Sequence, residues 1–158
     1  MSISIRSALP SDTTSLVMLL RRQMDEHFLP SSEEGIAAAV RRVFHSAGLG
    51  AFTVAEEYGK VVGLAYVAFL HSMEHAATIS MLEELYVLEE HRGRGVGGTL
   101  LRQVVEEFSL KPGRPIELEV DASHQAVENF YQRNGFVPRP RTRWIFDPRA
   151  AEPPAGEA

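Results

Sequence analysis

The chain contains no cysteine, which excludes disulfides, thiolate metal sites and a cysteine nucleophile, and agrees with a reducing compartment without requiring one. Lysine is nearly as scarce, Lys60 and Lys111 being the only two. A phosphate loop of the kind that ends in Gly-Lys-Ser/Thr is therefore excluded. No stretch approaches the ~20 apolar residues of a membrane span, and the start, Met1 to Arg6, lacks the apolar run of a signal peptide. The expectation is a soluble, cytoplasmic protein. Excess positive charge is missing too: net charge is -5, pI is 5.7, and the arginines are scattered rather than striped. Nucleic acid is not an expected partner.

What is present suits one ordinary domain. At 158 residues and 44% hydrophobic, the chain is long enough to bury a core. Residues 1–149 read as the domain, and 150–158, without large apolar side chains, as a disordered tail. Ile3 to Arg6 predicts a strand. Pro10-Ser11-Asp12 opens a helix with Leu16, Val17, Leu20 and Met24 on one face, and Ser31 with Glu34 forms a capping-box pattern before a second helix that ends at Gly48 to Gly50. Phe52 to Glu56, Val61 to Leu70 and Thr78 to Val87 read as an antiparallel meander, with a turn at Tyr58-Gly59-Lys60 and a loop from His71 to Ala77. Leu100, Leu101, Val104, Val105 and Phe108 recur at helical spacing, before a strand at Ile116 to Val120. The last elements are a helix capped by Ser123 and closed by a left-handed Gly135, and a final strand at Arg143 to Phe146.

The most informative segment joins the third meander strand to the next helix. Glycines at 93, 95, 97 and 98 remove Cβ atoms where a ligand would approach, and the helix start beyond them presents unpaired N–H groups with partial positive charge. Arg92 and Arg94 add two cations suited to phosphate oxygens. Gly93, Gly95 and Gly98 also satisfy the dinucleotide-binding spacing, with Glu117 or Glu119 about 20 residues on. In that fold the first glycine follows its strand closely, whereas Leu88 to Arg92 intervene here, and too little chain follows for a second nucleotide-binding half.

Arg92-x-x-Gly95-x-Gly97 resembles the acetyl-CoA pyrophosphate loop of the GNAT superfamily of N-acetyltransferases, and Leu85-x-Val87 resembles that family's central strand. A second segment, Ala126 to Phe136, is similar to the family's late helix, with its Phe130-Tyr131 pair and Gly135-Phe136 ending. The resemblance implies an α/β domain with a mixed, mostly antiparallel sheet and helices on both faces. It also implies acetyl-CoA as co-substrate, no metal, a small-molecule primary amine as acceptor, and direct attack of that amine on the thioester. Leu85, Tyr86, Val87, Arg92, Gly93, Arg94, Gly95, Val96, Gly97 and Gly98, with His124, Val127, Asn129, Phe130 and Tyr131, are the implied acetyl-CoA contacts. A homodimer is common in the family, but nothing in this sequence specifies one.

Acetyl transfer to an amine needs a base, because the acceptor is mostly protonated at neutral pH. Glu83 and Glu84 lie just before Leu85 and point to opposite faces of the strand. The resemblance supports the pair without choosing between them. It gives the backbone N–H of Val87 the role of donor to the developing oxyanion, and Tyr131 that of acid to the departing thiolate; by periodicity alone Tyr131 is a core aromatic spaced with Val127. Where many relatives have asparagine seven residues before this tyrosine, the chain has His124. Two acceptor-side cues conflict: in Asp25-Glu26-His27-Phe28, at the end of the first helix, the acidic groups favour a cationic amine, whereas the arginines of Pro138-Arg139-Pro140-Arg141 favour a carboxylate. His71-x-x-Glu74-His75 matches a zinc-protease pattern, but that chemistry needs both histidines on one helical face, and the segment joins two strands. A protein or peptide amine as acceptor, and a CoA-binding regulatory module without turnover, remain as alternatives.

Overall fold

The computed structural model describes residues 3–121 and 124–148. Five strands form one sheet in sequence order. They are β1 (Ser4–Ser7), β2 (Gly50–Glu57), β3 (Lys60–Ser72), β4 (Ala77–Val87) and β5 (Ile116–Leu118). The first three pairings are antiparallel and β4 pairs β5 in parallel. The helices are α1 (Thr13–Glu26), α2 (Glu33–His45), α3 (Val96–Val105) and α4 (Gln125–Arg133).

Strand alternation assigns the two layers. Phe52, Val54, Leu64, Tyr66 and Tyr86 share one face, by register. They pack with Leu16, Leu19, Leu20 and Val40 of α1 and α2. Ala65, Val67 and Leu82 share the other, with Leu101 and Val104 of α3 and the α4 aromatics Phe130 and Tyr131. Leu16, Leu19, Leu100 and Leu101 have no exposed surface, and burying each stabilises the fold by about 1.5–3 kcal/mol. Gly63 is dictated by close approach: a Cβ there would lie 3.1 Å from the Leu100 side chain and 3.1 Å from the Tyr86 carbonyl.

Several expectations shift. The cap of α2 is Ser32, whose hydroxyl accepts from the Gly35 N–H at 3.0 Å, rather than Ser31. That helix ends at His45, before the glycines. The expected cap Ser123 and the tail 150–158 lie outside the described residues. Gly135 does take the left-handed conformation (φ +88°), and Phe136 folds back on Tyr131, ring centroids 5.6 Å apart. The final strand at Arg143 to Phe146 does not form: 137–147 has no strand pairing, and Trp144, Ile145 and Phe146 are 80–90% exposed. Favourable strand residues are not enough when β5 offers only three residues to pair with and Pro138 and Pro140 precede the segment.

Candidate active site

The site begins with a defect in the sheet. Along β3 and β4 the register steps from Tyr66 opposite Glu84 to Val67 opposite Leu82, so Glu83 is the extra residue of a β-bulge. The bulge puts Leu82 on the α3 face and Glu84 on the α1 face. The parallel ladder with β5 stops at Leu82–Leu118, whereas β4 continues to Val87. The two strands part there, and a cleft opens between them.

Backbone direction in that cleft follows from one hydrogen bond. The Leu88 N–H donates to the Val62 carbonyl at 3.0 Å, toward β3. By alternation the N–H groups of Val87 and Leu85 point the opposite way, into the side that β5 has left. The Val87 carbonyl points there as well, and accepts from Nε of Arg92 at 2.7 Å.

Below the cleft mouth the chain makes a 3-10 turn at Glu89–His91 and then the glycine loop. Gly93 (φ +73°) and Gly95 (φ +81°) are left-handed, and Gly95 is the N-cap of α3. No side chain caps that helix, and its first intrahelical bond runs from Thr99 N–H to Gly95 O at 3.0 Å. The first-turn N–H groups of Val96, Gly97 and Gly98 thus lack intrahelical acceptors, and nothing lies within 4 Å of where a Cβ would stand at Gly93 or Gly95. Such a cradle fits a phosphate. A Cβ at Gly97 would touch Val87 and the Phe130 ring at 3.8 and 3.9 Å, so the loop, β4 and α4 converge at one point.

Each of the two loop arginines meets a carboxylate. Nη2 of Arg92 sits 2.8 Å from Oε2 of Glu26, and the guanidinium lies over the Tyr86 ring at 5.1 Å. Tyr86 donates its hydroxyl to the same Glu26 at 2.6 Å. Burial and the Glu26 carboxylate push the Tyr86 hydroxyl up to about 12. Arg94 pairs at 2.5 Å with Glu57, which also meets Nε2 of His91 at 3.1 Å. The hydrogen bond from Arg94 holds the Glu57 carboxyl below the usual range. These pairs brace the loop from its flanks.

Glu84 stands apart electrostatically. It is half-buried, and Nε2 of Gln23, on α1, donates to its Oε2 at 2.6 Å. Burial, reinforced by the charge of neighbouring Glu83 and opposed by the Gln23 bond, pushes its carboxyl up to about 7. Glu83 is exposed. Across the cleft, burial followed by the Glu84 charge pushes the Tyr131 phenol up to about 12. Glu84 lies on the α1 face and Tyr131 packs with the α3-face core, yet the Glu84 charge reaches the phenol.

Other expected residues spread around this centre. Leu85 is half-buried, Val87 and Val96 buried. His124 is the N-cap of α4, its ring edge-on to His27 at 6.3 Å, which brings the end of α1 close to the start of α4. Val127 and Asn129 are exposed, and Asn129 accepts from Gln125 at 3.3 Å. Asp25 is paired to Arg21 at 2.9 Å and Arg141 to Glu74 at 2.5 Å, so one member of each conflicting acceptor cue is engaged in a surface ion pair. His75 meets Glu117 at 2.9 Å and His71 meets Thr78 at 3.0 Å, on a hairpin rather than a helix. Among the described residues no group of three or more His, Cys, Asp or Glu could hold a metal ion, and no helix is long and apolar enough to cross a membrane. The sequence reading missed Gln23 and Glu57. Gln23 continues the buried row Leu16, Leu19, Leu20 as its one polar member; that pattern was the available signal. Glu57 offered none.

Comparison with known proteins agrees with this architecture. A family model described as an acetyltransferase (GNAT) domain matches residues 48–138, more than half of the chain. An uncharacterized N-acetyltransferase of Bacillus subtilis, YhfO, is 22% identical over 134 residues, 85% of this chain and 89% of its own length. The aminoalkylphosphonate N-acetyltransferase of Salmonella typhimurium is 29% identical over 85 residues, 54% of this chain and 55% of its own. Among solved structures, an aminoglycoside N-acetyltransferase, AAC(6')-Iy, in complex with CoA superposes with a TM-score of 0.79 at 18% identity, covering 93% of this chain and 95% of that one. Because the segment so matched spans the bulged strand, the glycine loop and α4, the chain belongs to the GNAT superfamily and is an acyl-CoA-dependent N-acetyltransferase.

Proposed function

We propose that the acceptor is the primary amine of a small molecule, and that this amine attacks acetyl-CoA directly with Glu84 as its base. The observation that carries the reading is the place of Glu84, half-buried just beyond the end of the β4–β5 ladder and bonded to Gln23 at 2.6 Å, where burial pushes its carboxyl up to about 7. A base matched to neutral pH can take a proton from an ammonium and release it again. Glu83, exposed at the bulge, lacks that environment.

When bound, acetyl-CoA supplies the thioester, and the residues of this chain do the rest. The N–H groups of Gly93 to Gly98 receive the pyrophosphate, while Arg92 and Arg94 keep the loop in shape through Glu26 and Glu57. Glu84 takes a proton from the amine, whose lone pair then forms the bond to the carbonyl carbon. The Val87 N–H donates to the carbonyl oxygen as it gains negative charge. Tyr131, un-ionised at neutral pH, gives its proton to the sulfur as the carbon–sulfur bond breaks and regains one from solvent. Once bonded to the carbonyl carbon the nitrogen loses its second proton to water, which offsets the proton Tyr131 regains, so the products are an amide, free CoA thiol and the one proton left on Glu84.

A small-molecule acceptor is supported by the names of two similar proteins, since aminoalkylphosphonates and aminoglycosides both carry amines. Thiol release from acetyl-CoA against polyamines, amino acids, aminoglycosides, aminoalkylphosphonates and peptides tests the proposal. Turnover with at least one small amine is expected. Turnover with peptides alone would transfer the reading to a protein-modifying enzyme, and binding of acetyl-CoA without thiol release from any amine would overturn it.

A further inference from the structure

We infer that Gln23 is a positioning residue that holds Glu84 in place through both of its protonation states and sets where the change between them occurs. The inference rests on Glu84 as the base and concerns what controls it. Gln23 is 92% buried, being 8% exposed. Its Nε2 donates to Oε2 of Glu84 at 2.6 Å, and its Oε1 is buried with no hydrogen-bond partner among the described residues. A buried unpaired carbonyl is costly, and one beside a titrating carboxyl has an obvious use. The carboxylate form of Glu84 has only acceptors and takes the amide N–H. The acid form has an O–H to give, and the amide oxygen beside it can receive it. One side chain thereby satisfies Glu84 before and after it accepts the amine's proton. A leucine at this place in the buried row would serve packing as well, but could do neither.

The magnitudes fix the direction. A hydrogen bond to the charged form outweighs one to the neutral form, so losing Gln23 favours the acid and moves Glu84 titration upward. The remaining titratable groups facing Glu84 are Glu83 on its own strand, Tyr66 on β3 and Tyr131 on α4; α1 contributes Gln23 itself. Tyr66 and Tyr131 are un-ionised throughout the neutral range because burial raises both phenols.

The test is a carbon-13 NMR titration of the Glu84 carboxyl, assigned by its loss in Glu84→Gln, in the intact protein and in Gln23→Leu, Gln23→Asn and Gln23→Glu. The expected order of midpoints is parent, then Gln23→Leu and Gln23→Asn roughly tenfold less acidic, then Gln23→Glu higher still because it adds a like charge. The acid limb of kcat/KM should move with the midpoint while acetyl-CoA affinity is retained, a pattern that damaged packing would not produce. Gln23→Asn keeps polarity and size close to the parent, so a failure of Gln23→Leu to fold leaves the test standing. An unmoved midpoint in any folded Leu or Asn variant overturns the inference. A midpoint that moves while activity ignores it supports the hold of Gln23 on Glu84 and overturns Glu84 as the base.

Discussion

Glu84→Gln should stabilise the protein above neutral pH and leave it unchanged in acid. The carboxyl rises from an ordinary 4.5 to about 7 on folding, so between those values the folded state binds more protons than the unfolded one. Stability contributed by the neutral acid is therefore complete below pH 4.5 and is lost as pH rises through 7. Each pH unit of that gap is worth about 1.36 kcal/mol; partial access of solvent to the cleft reduces the ceiling of roughly 3 kcal/mol to about 2 kcal/mol. Glutamine copies the shape of the neutral acid and can pair with both ends of Gln23, so it escapes the loss. For a domain of this size the variant should melt about 4–8 °C above the parent at pH 8.5, and at the same temperature near pH 4.5. Differential scanning calorimetry across that range, parent against variant, isolates Glu84 because the other groups titrate in both. A pH-independent difference, or a variant less stable at pH 8.5, would refute the argument.

Three further outcomes follow from the same geometry. Tyr131→Phe keeps the ring against Phe130 and Phe136 but removes the proton offered to sulfur, so the single-turnover rate should fall by roughly 10²–10⁴-fold with acetyl-CoA affinity intact. Gly95→Val places a β-branched residue at φ +81° and a side chain in the cradle; calorimetric acetyl-CoA binding should be lost, at a strain cost of about 1–3 kcal/mol. Arg94→Met leaves Glu57 without its 2.5 Å partner and should lower the melting temperature, and adding Glu57→Gln should recover part of that loss.

The glycine loop, the meander and the late helix were legible because each is written locally, as a glycine spacing, an alternation or a helical stripe. The place of the Glu83–Glu84 pair just before Leu85 was legible too, but strict alternation was not a guide to its faces. The bulge at Glu83, which has no local signature, breaks the strand period and sets Leu82 and Glu84 on opposite faces, and Gln23 reaches Glu84 across 61 positions of sequence. The carboxylate partners of Arg92 and Arg94 were illegible for the same reason. Glu26 and Glu57 lie 66 and 37 residues away, and a local motif cannot reveal that its cations are already paired. The failed strand at Arg143 to Phe146 is the converse case, where local preference was present and a long enough neighbouring strand was not.

The most direct measurement is kcat/KM for a reactive amine as a function of pH in the parent, Glu83→Gln and Glu84→Gln. Glu84 as base predicts an acid limb near pH 7 in the parent, retained in Glu83→Gln at a slightly lower pH because a like charge has been removed. In Glu84→Gln the limb should vanish, with activity rising only as the amine itself deprotonates. A parental limb near 7 in Glu84→Gln would contradict the account.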